Sequence, residues 1–403
     1  MEPGVIPRVP FIRTKLKTFS FQAFGYSSTL RRKTVSVGPP RQAVAFAAGR
    51  RDRCFFWEKG FAVNRVCVAI VAVTAAIALP ASSGAARAQT LKKVIERGAL
   101  ICGVTQGLPG FSNPDDKGNW TGFDVDFCRA MAAAIFNDAT KVKFSPLSAK
   151  DRFTALQSGE IDVLARVTSW TLSRDTALGF NFAAVTYYDG QGFLIRNSLK
   201  VNSALELNGA SICTQTGTTS ELNISDFFRT HKIKYELVAF ATADEVVKAY
   251  DTGRCDVFST DISQLYAERL KLSNPKDHTI LPEIISKEPL SPVVRHGDDQ
   301  WLDIARWTHF AMINAEELGV SSKTLGEAMK SDRPDVMRLV GTEGNFGEQL
   351  GLTKGWAEHI IRQVGNYGEV FERNLGSGSR LAIARGVNNL WNKGGIQYAP
   401  PIR

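Results

Sequence analysis

The residues best suited to bind a small molecule lie in one stretch, Thr168-Ser169-Trp170-Thr171-Leu172-Ser173-Arg174. An arginine fork beside hydroxyls can hold a carboxylate through two parallel charge-assisted hydrogen bonds. The competing reading is a surface arginine on the first turn of a helix, with Ser173 as its N-cap and Leu178, Phe180 and Phe182 as anchors beyond it. A cation in a first turn opposes the helix dipole, which favours a binding role for Arg174.

The chain must bring that stretch to an exposed edge. The apolar run Ile161, Val163, Leu164, Ala165 and Val167 follows the turn signal Ser158-Gly159-Glu160 and predicts a strand. Its carboxyl end delivers the hydroxyls, and in an open α/β sheet that is the edge where ligands bind. Upstream, the pattern predicts a helix over 91–97 and a strand over 100–104 that ends at Gly107-Leu108-Pro109-Gly110. A helix over 124–136, a strand over 141–144 and a helix over 150–157 complete the unit. Alternating β and α units predict a parallel sheet with helices on both faces. A second βα pattern opens at 208–215 and continues through Gly217-Thr218-Thr219-Ser220-Glu221, a helix over 244–250 and a strand over 255–259 that ends at Thr260-Asp261. Strands over 279–283 and 290–294 lead back. The segments near 193–197 and 284–289 are expected to cross between lobes as a hinge. From Trp301 the tail reads as helical, broken by Gly-rich loops such as 341–347.

Composition limits the function classes. A chain of 403 residues, 44% hydrophobic and 22% charged, has an ordinary globular balance with room for two lobes. The net charge of +9 resides at the N-terminus, where residues 1–88 hold 14 Lys/Arg and three acids, leaving −2 for the remainder. That remainder has no excess of basic residues to support nucleic-acid binding. Residues 1–60 are basic, rich in Ser, Gly and Pro, and without a sustained period; they read as disordered or as no part of the mature product. Residues 61–88 have the parts of a secretory signal: Arg65, the apolar run 66–79 and Ala86-Arg87-Ala88, with cleavage expected after Ala88. Fourteen apolar residues span roughly 21 Å as a helix, too short for the ~30 Å hydrocarbon core, so no stable membrane insertion is expected. An Arg- and Ser-rich transit peptide is the competing reading of residues 1–60. A signal sixty residues inside a chain is a poor export substrate, and translation starting near Val63 is expected.

Beyond residue 88 stand four cysteines, Cys102, Cys128, Cys213 and Cys255, and an even number in an exported chain predicts disulfides. Four cysteines allow three connectivities. Strand and helix placement favours 102–128, a first strand and the helix packed over it, and 213–255 on neighbouring strands. None has C-x-x-C spacing, and His231, His278, His296, His309 and His359 form no metal-ligand pattern; neither a metal nor a cofactor is expected.

The stretch from Asp162 to Tyr188 resembles the core of the family 3 solute-binding proteins, the periplasmic amino-acid receptors of ABC importers. Gly122-Phe123-Asp124-Val125-Asp126-Phe127 matches that family's signature. CGVTQGLPGFS (102–112) and GNYGEVFERNLG (365–376) resemble its general L-amino-acid-binding subgroup. The resemblance covers about 91–403 and implies a two-lobed, type II periplasmic binding fold of class α/β, each lobe a sheet with flanking helices joined by a two-segment hinge. Lobe one would comprise 89–196 and 286–403, including a helical C-terminal extension, and lobe two 197–285. The resemblance assigns Arg174 and Ser169 to the ligand's carboxylate, with the backbone N–H groups of Gly217 and Thr219 at a helix start. Asp261, helped by the Val167 carbonyl, would take the ammonium. Taken without the resemblance, Asp261 and Thr218/Thr219 could be helix caps, and Tyr187-Tyr188 core or hinge packing.

Narrow-specificity members place an aromatic after the first strand and another near 149; here those positions are Leu108 and Ala149. A pocket without aromatic walls discriminates weakly, since a methylene is worth only ~1–3 kcal/mol, so broad specificity is implied. The implied partners are an ABC permease with its ATPase, for a monomeric receptor that binds no nucleic acid. The alternative is an exported enzyme on the same fold, such as a cyclohexadienyl dehydratase-like lyase. Such an enzyme needs a general acid near the reacting centre, and the matched loops offer none once Asp261 is committed to the ammonium.

Overall fold

A computed structural model describes residues 89–403. The expected basic extension (1–60) and signal segment (61–88) lie outside these residues. Among the described residues no helix is long and apolar enough to cross a membrane.

In chain order, the first lobe contains α1 (Thr90–Arg97), β1 (Leu100–Val104), the short ribbon β2 (Asn113–Pro114) and β3 (Trp120–Thr121), α2 (Phe123–Phe136) and β4 (Val142–Pro146). It continues through α3 (Arg152–Ser158), β5 (Val163–Leu164), a single π-type turn at Ser173–Ala177 and β6 (Phe180–Phe182). The chain then crosses through β7 (Tyr187–Asp189) into β8 (Gln191–Arg196), β9 (Ala210–Gln215), α4 (Ser220–His231) and β10 (Tyr235–Phe240). Next come α5 (Ala243–Asp251), β11 (Val257–Asp261), α6 (Ile262–Arg269) and β12 (His278–Ile280). It returns through β13 (Glu288–Leu290) and β14 (Val293–Arg295).

Two five-stranded sheets result, ordered β4-β1-β5-β14-β6 and β10-β9-β11-β8-β12. The β1–β4, β1–β5, β9–β10 and β9–β11 pairs are parallel, as βα alternation requires. The crossing strands are antiparallel: β14 to β5 and β6, and β8 to β11 and β12. Each sheet is therefore mixed where the sequence predicts parallel strands, because each takes in one strand, β14 in the first and β8 in the second, from a chain arriving from the other side.

The first crossing lies earlier than expected. Residues 193–197 are not a hinge: Phe193, Leu194 and Ile195 are buried and form ladders in the second sheet, with Phe193 opposite Ser259. Residues 191–196, read from the sequence as the end of the first lobe, are a strand of the second sheet. The two connections instead meet as the antiparallel ribbon β7/β13, with Tyr188 opposite Pro289. Gly190 follows directly, and a Cβ there would meet Ile284 Cγ2 at 2.3 Å. The crossing turn therefore requires glycine.

Disulfides join Cys102 to Cys128 and Cys213 to Cys255, with Cα–Cα separations of 6.3 and 5.7 Å. The first ties β1 to α2. Cys255 precedes β11 by two residues rather than beginning it, and the second bond ties the approach to β11 to β9.

The tail forms α7 (Asp299–Glu317), α8 (Leu325–Ala328), α9 (Pro334–Val340), α10 (Phe346–Gln349), α11 (Trp356–Gln363) and α12 (Tyr367–Asn374). Helices α7, α11 and α12 pack against α2, and α11 and α12 also pack against α7. Their buried Trp301, Trp356, Ile360, Tyr367 and Phe371 extend the core of the first lobe. The tail also grips the segment entering the hinge. Asn388 Oδ1 accepts from the Tyr188 N–H at 2.7 Å and its Nδ2 donates to the Tyr188 carbonyl at 3.0 Å. Gln397 Nε2 donates to the Thr186 carbonyl at 3.2 Å, and the Tyr367 hydroxyl donates to it at 3.0 Å.

Candidate functional site

The carboxyl ends of both sheets face one cleft. Its inner chamber is lined from the first lobe by Arg152, Arg166, Val167, Ser169 and Arg174, and from the second by Gln215, Thr218, Thr219, Ser220, Thr260, Asp261 and Gln264. This inner chamber holds only ≈ 20 Å³; it shares Arg166, Val167, Gln215 and Gln264 with an outer chamber of ≈ 290 Å³ that also contains Thr105, Gln106, Gly107, Leu108, Thr242, Ala243, Asp244 and Glu268. A volume near 300 Å³ is at the lower end of ordinary small-molecule sites.

Arg174 stands on the π-type turn rather than on an α-helix capped by Ser173. The Trp170 Nε1–H donates to Asp175 Oδ2 at 2.8 Å, and the Trp170 ring stacks on Phe182 at 5.4 Å, which anchors the turn. Arg174 is buried; its Nη1 donates to the Ser169 carbonyl at 2.9 Å and its guanidinium lies over the Phe153 ring at 5.3 Å. Burial lowers its pKa, while Glu288 and Asp261 oppose that shift. Its hydrogen bond goes to a neutral carbonyl, which leaves other donors of the fork able to take an anion.

On the second lobe, Asp261 ends β11 at the N-cap position of α6, but its buried side chain makes no capping hydrogen bond among the described residues. Gln264 Nε2 donates to its Oδ2 at 2.6 Å. Burial, then the neighbouring Asp189 and Glu288 carboxylates, holds the Asp261 carboxyl well above the usual carboxylate range; Gln264 and Arg174 act against this. A positive ligand group would relieve that imbalance. Thr219 faces the inner chamber, but its hydroxyl donates to Glu288 Oε2 at 2.9 Å, leaving its backbone as the ligand-side group. Thr218, rather than Thr219, shapes the helix start: its hydroxyl accepts from the Ser220 N–H at 3.2 Å. Gly217 departs from the expectation. It lines neither chamber, its N–H donates to Glu221 Oε2 at 3.1 Å, and a Cβ built on it would lie 3.5 Å from the Lys150 backbone. It is a point where the lobes touch. Leu108 forms part of the outer wall. Tyr187 is buried and packs against Phe111, Phe123 and Phe371, which makes it core.

The sequence reading misses two arginines. Arg152 Nη1 reaches Thr168 Oγ1 at 3.4 Å, its Nε is buried without a partner among the described residues, and its guanidinium covers the Phe153 ring at 4.7 Å. Burial, then Arg166 and Arg174, drives its pKa well below the usual arginine value, with Asp261 opposing. Arg166 Nε donates to the Leu147 carbonyl at 2.9 Å, and burial brings its pKa down to about 10 against the Asp124 carboxylate. The available signals were Arg166 inside an apolar strand run and Arg152 four residues before the buried Leu156 on a predicted helix. Across the mouth of the cleft, Lys271 Nζ donates to the Gly107 carbonyl at 2.7 Å.

This chain is similar to known proteins in sequence and fold. The profile described as bacterial extracellular solute-binding proteins, family 3, matches residues 100–324. The General L-amino acid-binding periplasmic protein AapJ of Rhizobium johnstonii is 60% identical over 334 residues, 82% of this chain and 98% of that protein. The Glutamate/glutamine/aspartate/asparagine-binding protein BztA of Rhodobacter capsulatus is 51% identical over 322 residues, 80% of this chain and 95% of that protein. A solved ABC-transporter periplasmic binding protein from Brucella ovis, with glutathione bound, is 59% identical with a TM-score of 0.78, over 79% of this chain and 100% of that chain. An arginine on one lobe facing a buried aspartate on the other, on two mixed sheets joined by a paired crossing, is thus found in a chain that belongs to the family 3 bacterial extracellular solute-binding proteins.

Proposed function

We propose that the protein is a periplasmic receptor that binds L-amino acids with broad specificity between its lobes and delivers them to an ABC importer's permease and ATPase. The observation that carries this is the single cleft with Arg174 on one wall and Asp261 on the other. An α-amino acid presents a carboxylate and an ammonium on one carbon, and those two residues match them, with Ser169, Thr219 and the Val167 carbonyl as further partners. Each charge-assisted bond contributes roughly 1.5–3 kcal/mol net. Four or five support micromolar binding, about −8 kcal/mol, after association costs. Because carboxylate and ammonium partners come from opposite lobes, the ligand itself stabilises the closed state.

The outer chamber supports a second reading for the same head-group clamp. Its size, and the Brucella ovis relative with glutathione bound, favour γ-glutamyl peptides as additional ligands: their glutamyl end is an amino acid and the remainder would occupy the outer chamber. An exported lyase on this fold remains the alternative in the enzyme class.

Isothermal titration of the 89–403 protein with twenty L-amino acids, glutathione and prephenate tests all three readings. Micromolar heats from several amino acids support the receptor. Conversion of prephenate with release of water and carbon dioxide would establish the lyase instead. N-terminal sequencing of the protein recovered from a cell envelope fraction is expected to start at Gln89.

A further inference from the structure

Val167 lines both chambers of the cleft, yet its φ is +39°. A β-branched residue there is strained and persists only when its surroundings over-determine it. The surroundings are identifiable. Arg166, one residue earlier, is held through Nε to Leu147, and its carbonyl accepts from the Thr168 hydroxyl at 2.9 Å. The Val167 N–H itself donates to Asp124 Oδ2 at 3.0 Å, from a residue 43 positions away.

Asp124 is well placed to be a fixed acceptor. It lies in the first turn of α2 with its side chain buried. The helix start cannot shift, because a Cβ at Gly122 would overlap the Phe111 carbonyl at 2.1 Å and the Asp124 N–H donates to that same carbonyl at 3.0 Å. An acid in a first turn usually needs no more explanation than the helix dipole. Its neighbour Asp126 has a structural use, accepting from Arg373 and Asn374 of the tail at 2.9 and 2.6 Å. Asp124 points instead at the backbone of the cleft.

We propose that Asp124 is a positioning residue for ligand binding: it holds Val167 in the left-handed conformation that places the 167 carbonyl on the cavity wall, where it meets the ligand's ammonium group. The proposal rests on the amino-acid-receptor reading for the identity of that ligand. Burial, opposed by the Val167 N–H and Arg166, pushes the Asp124 carboxyl up to about 7, which agrees with an acceptor kept for its backbone contact rather than for solubility.

The test is calorimetry with L-alanine, L-glutamine and L-glutamate. Asp124→Ala is expected to weaken all three at least tenfold, and Asp124→Asn, which retains an acceptor, to stay within threefold of wild type. Glycine adopts positive φ unaided, so in a Val167→Gly background Asp124→Ala is expected to cost less than threefold. Unchanged binding in Asp124→Ala, or equal losses in both backgrounds, overturns the proposal. Should Asp124→Ala not fold, Asp124→Glu, which displaces the acceptor by a methylene, is expected to show the same loss and the same relief, and their absence overturns it equally. A crystal structure of the variant supplies a ligand-independent readout: residue 167 should leave the left-handed region, and its retention there overturns the proposal. Absence of heat from wild type with every amino acid would instead remove the receptor reading, with the structural outcome still deciding the role of Asp124.

Discussion

Arg174 and Arg152 line the same chamber, but one has partners arranged around it and the other carries a buried Nε with none. Arg174→Ala should therefore abolish amino-acid binding, a loss of at least a hundredfold by calorimetry, with the fold intact. Arg174→Lys should also bind poorly, because a point charge cannot make two parallel bonds. Arg152 tests the opposite side of the stability ledger. Replacing an under-partnered buried cation by an apolar side chain of similar length is often stabilising, so Arg152→Met should raise the melting temperature of the ligand-free protein by roughly 2 °C, the shift expected for about 1 kcal/mol at this size. The same variant should lose affinity for glutamate more than for alanine, since Arg152 adds positive charge to the chamber wall. Equal losses for the two amino acids would show that Arg152 does not sense the side chain. Arg174 was legible from its place beside hydroxyls at a strand end, whereas Ser169, Val167, Thr219 and Asp261 were assigned through the family resemblance; all five line the inner chamber. Arg152, Arg166 and Glu288 were not legible, because a charge in a sequence is read as solvated unless the packing that buries it is known. Gly217 failed for a related reason: its spacing is right, but its N–H is satisfied locally by Glu221.

At the scale of elements, β1, β4, β9 and β11 fall within two residues of their expected bounds, since short apolar runs bounded by glycine turns specify them, whereas β6, β7, β8 and β10 were not expected as strands. The two disulfides follow from that placement. Chain entropy gives about 3.5 kcal/mol for the 26-residue loop and about 4 kcal/mol for the 42-residue loop. Replacing Cys102 and Cys128, or Cys213 and Cys255, by alanine should cost 3–4 kcal/mol each in denaturant titrations. Peptide mapping that returned free thiols or crossed pairs would contradict the connectivity. The hinge was misplaced because β8 is as apolar as any connector is not; only Gly190 marks the crossing, and one glycine is a weak signal among 34. Within the tail, His309 is buried against Gln397 and Tyr367, and burial drops its pKa to about 4 against the usual 6.5. The unfolded chain binds a proton below pH 6.5 that the folded chain refuses down to about pH 4. Stability contributed by neutral His309 should thus be complete above pH 6.5 and decline as pH falls from there to 4, by one proton's worth of slope. The difference between wild-type and His309→Gln melting temperatures across that window isolates this effect from the buried carboxyls of the cleft, whose raised pKa values give the opposite trend. A difference that is flat with pH would mean His309 titrates normally.

Across the whole molecule, the tail beyond the matched family segment was legible as helices but not as to purpose. Its purpose depends on contacts 181–212 residues away in sequence, those of Tyr367, Asn388 and Gln397 with residues 185–188, and no periodicity encodes these. Asn388→Ala removes both bonds to the Tyr188 backbone. It should broaden the ligand-free small-angle scattering ensemble and change the affinity of every amino acid by the same modest factor, roughly two- to fivefold. A change confined to one amino acid would place Asn388 in the ligand site instead.

That grip has a mechanical consequence. With Tyr188 held from one side by Pro289 and from the other by an amide that imitates a third strand, and Asp189 paired with Glu288, bending is left to the few bonds around Gly190. A short flexure turns about one axis, whereas a long ribbon can twist about many. The arc of the second lobe is then expected to be set by the frame rather than by the cargo, and small-angle scattering of complexes with small and large amino acids should return one closed envelope. A transporter that must recognise a loaded carrier, whatever it carries, needs a shape of that constancy.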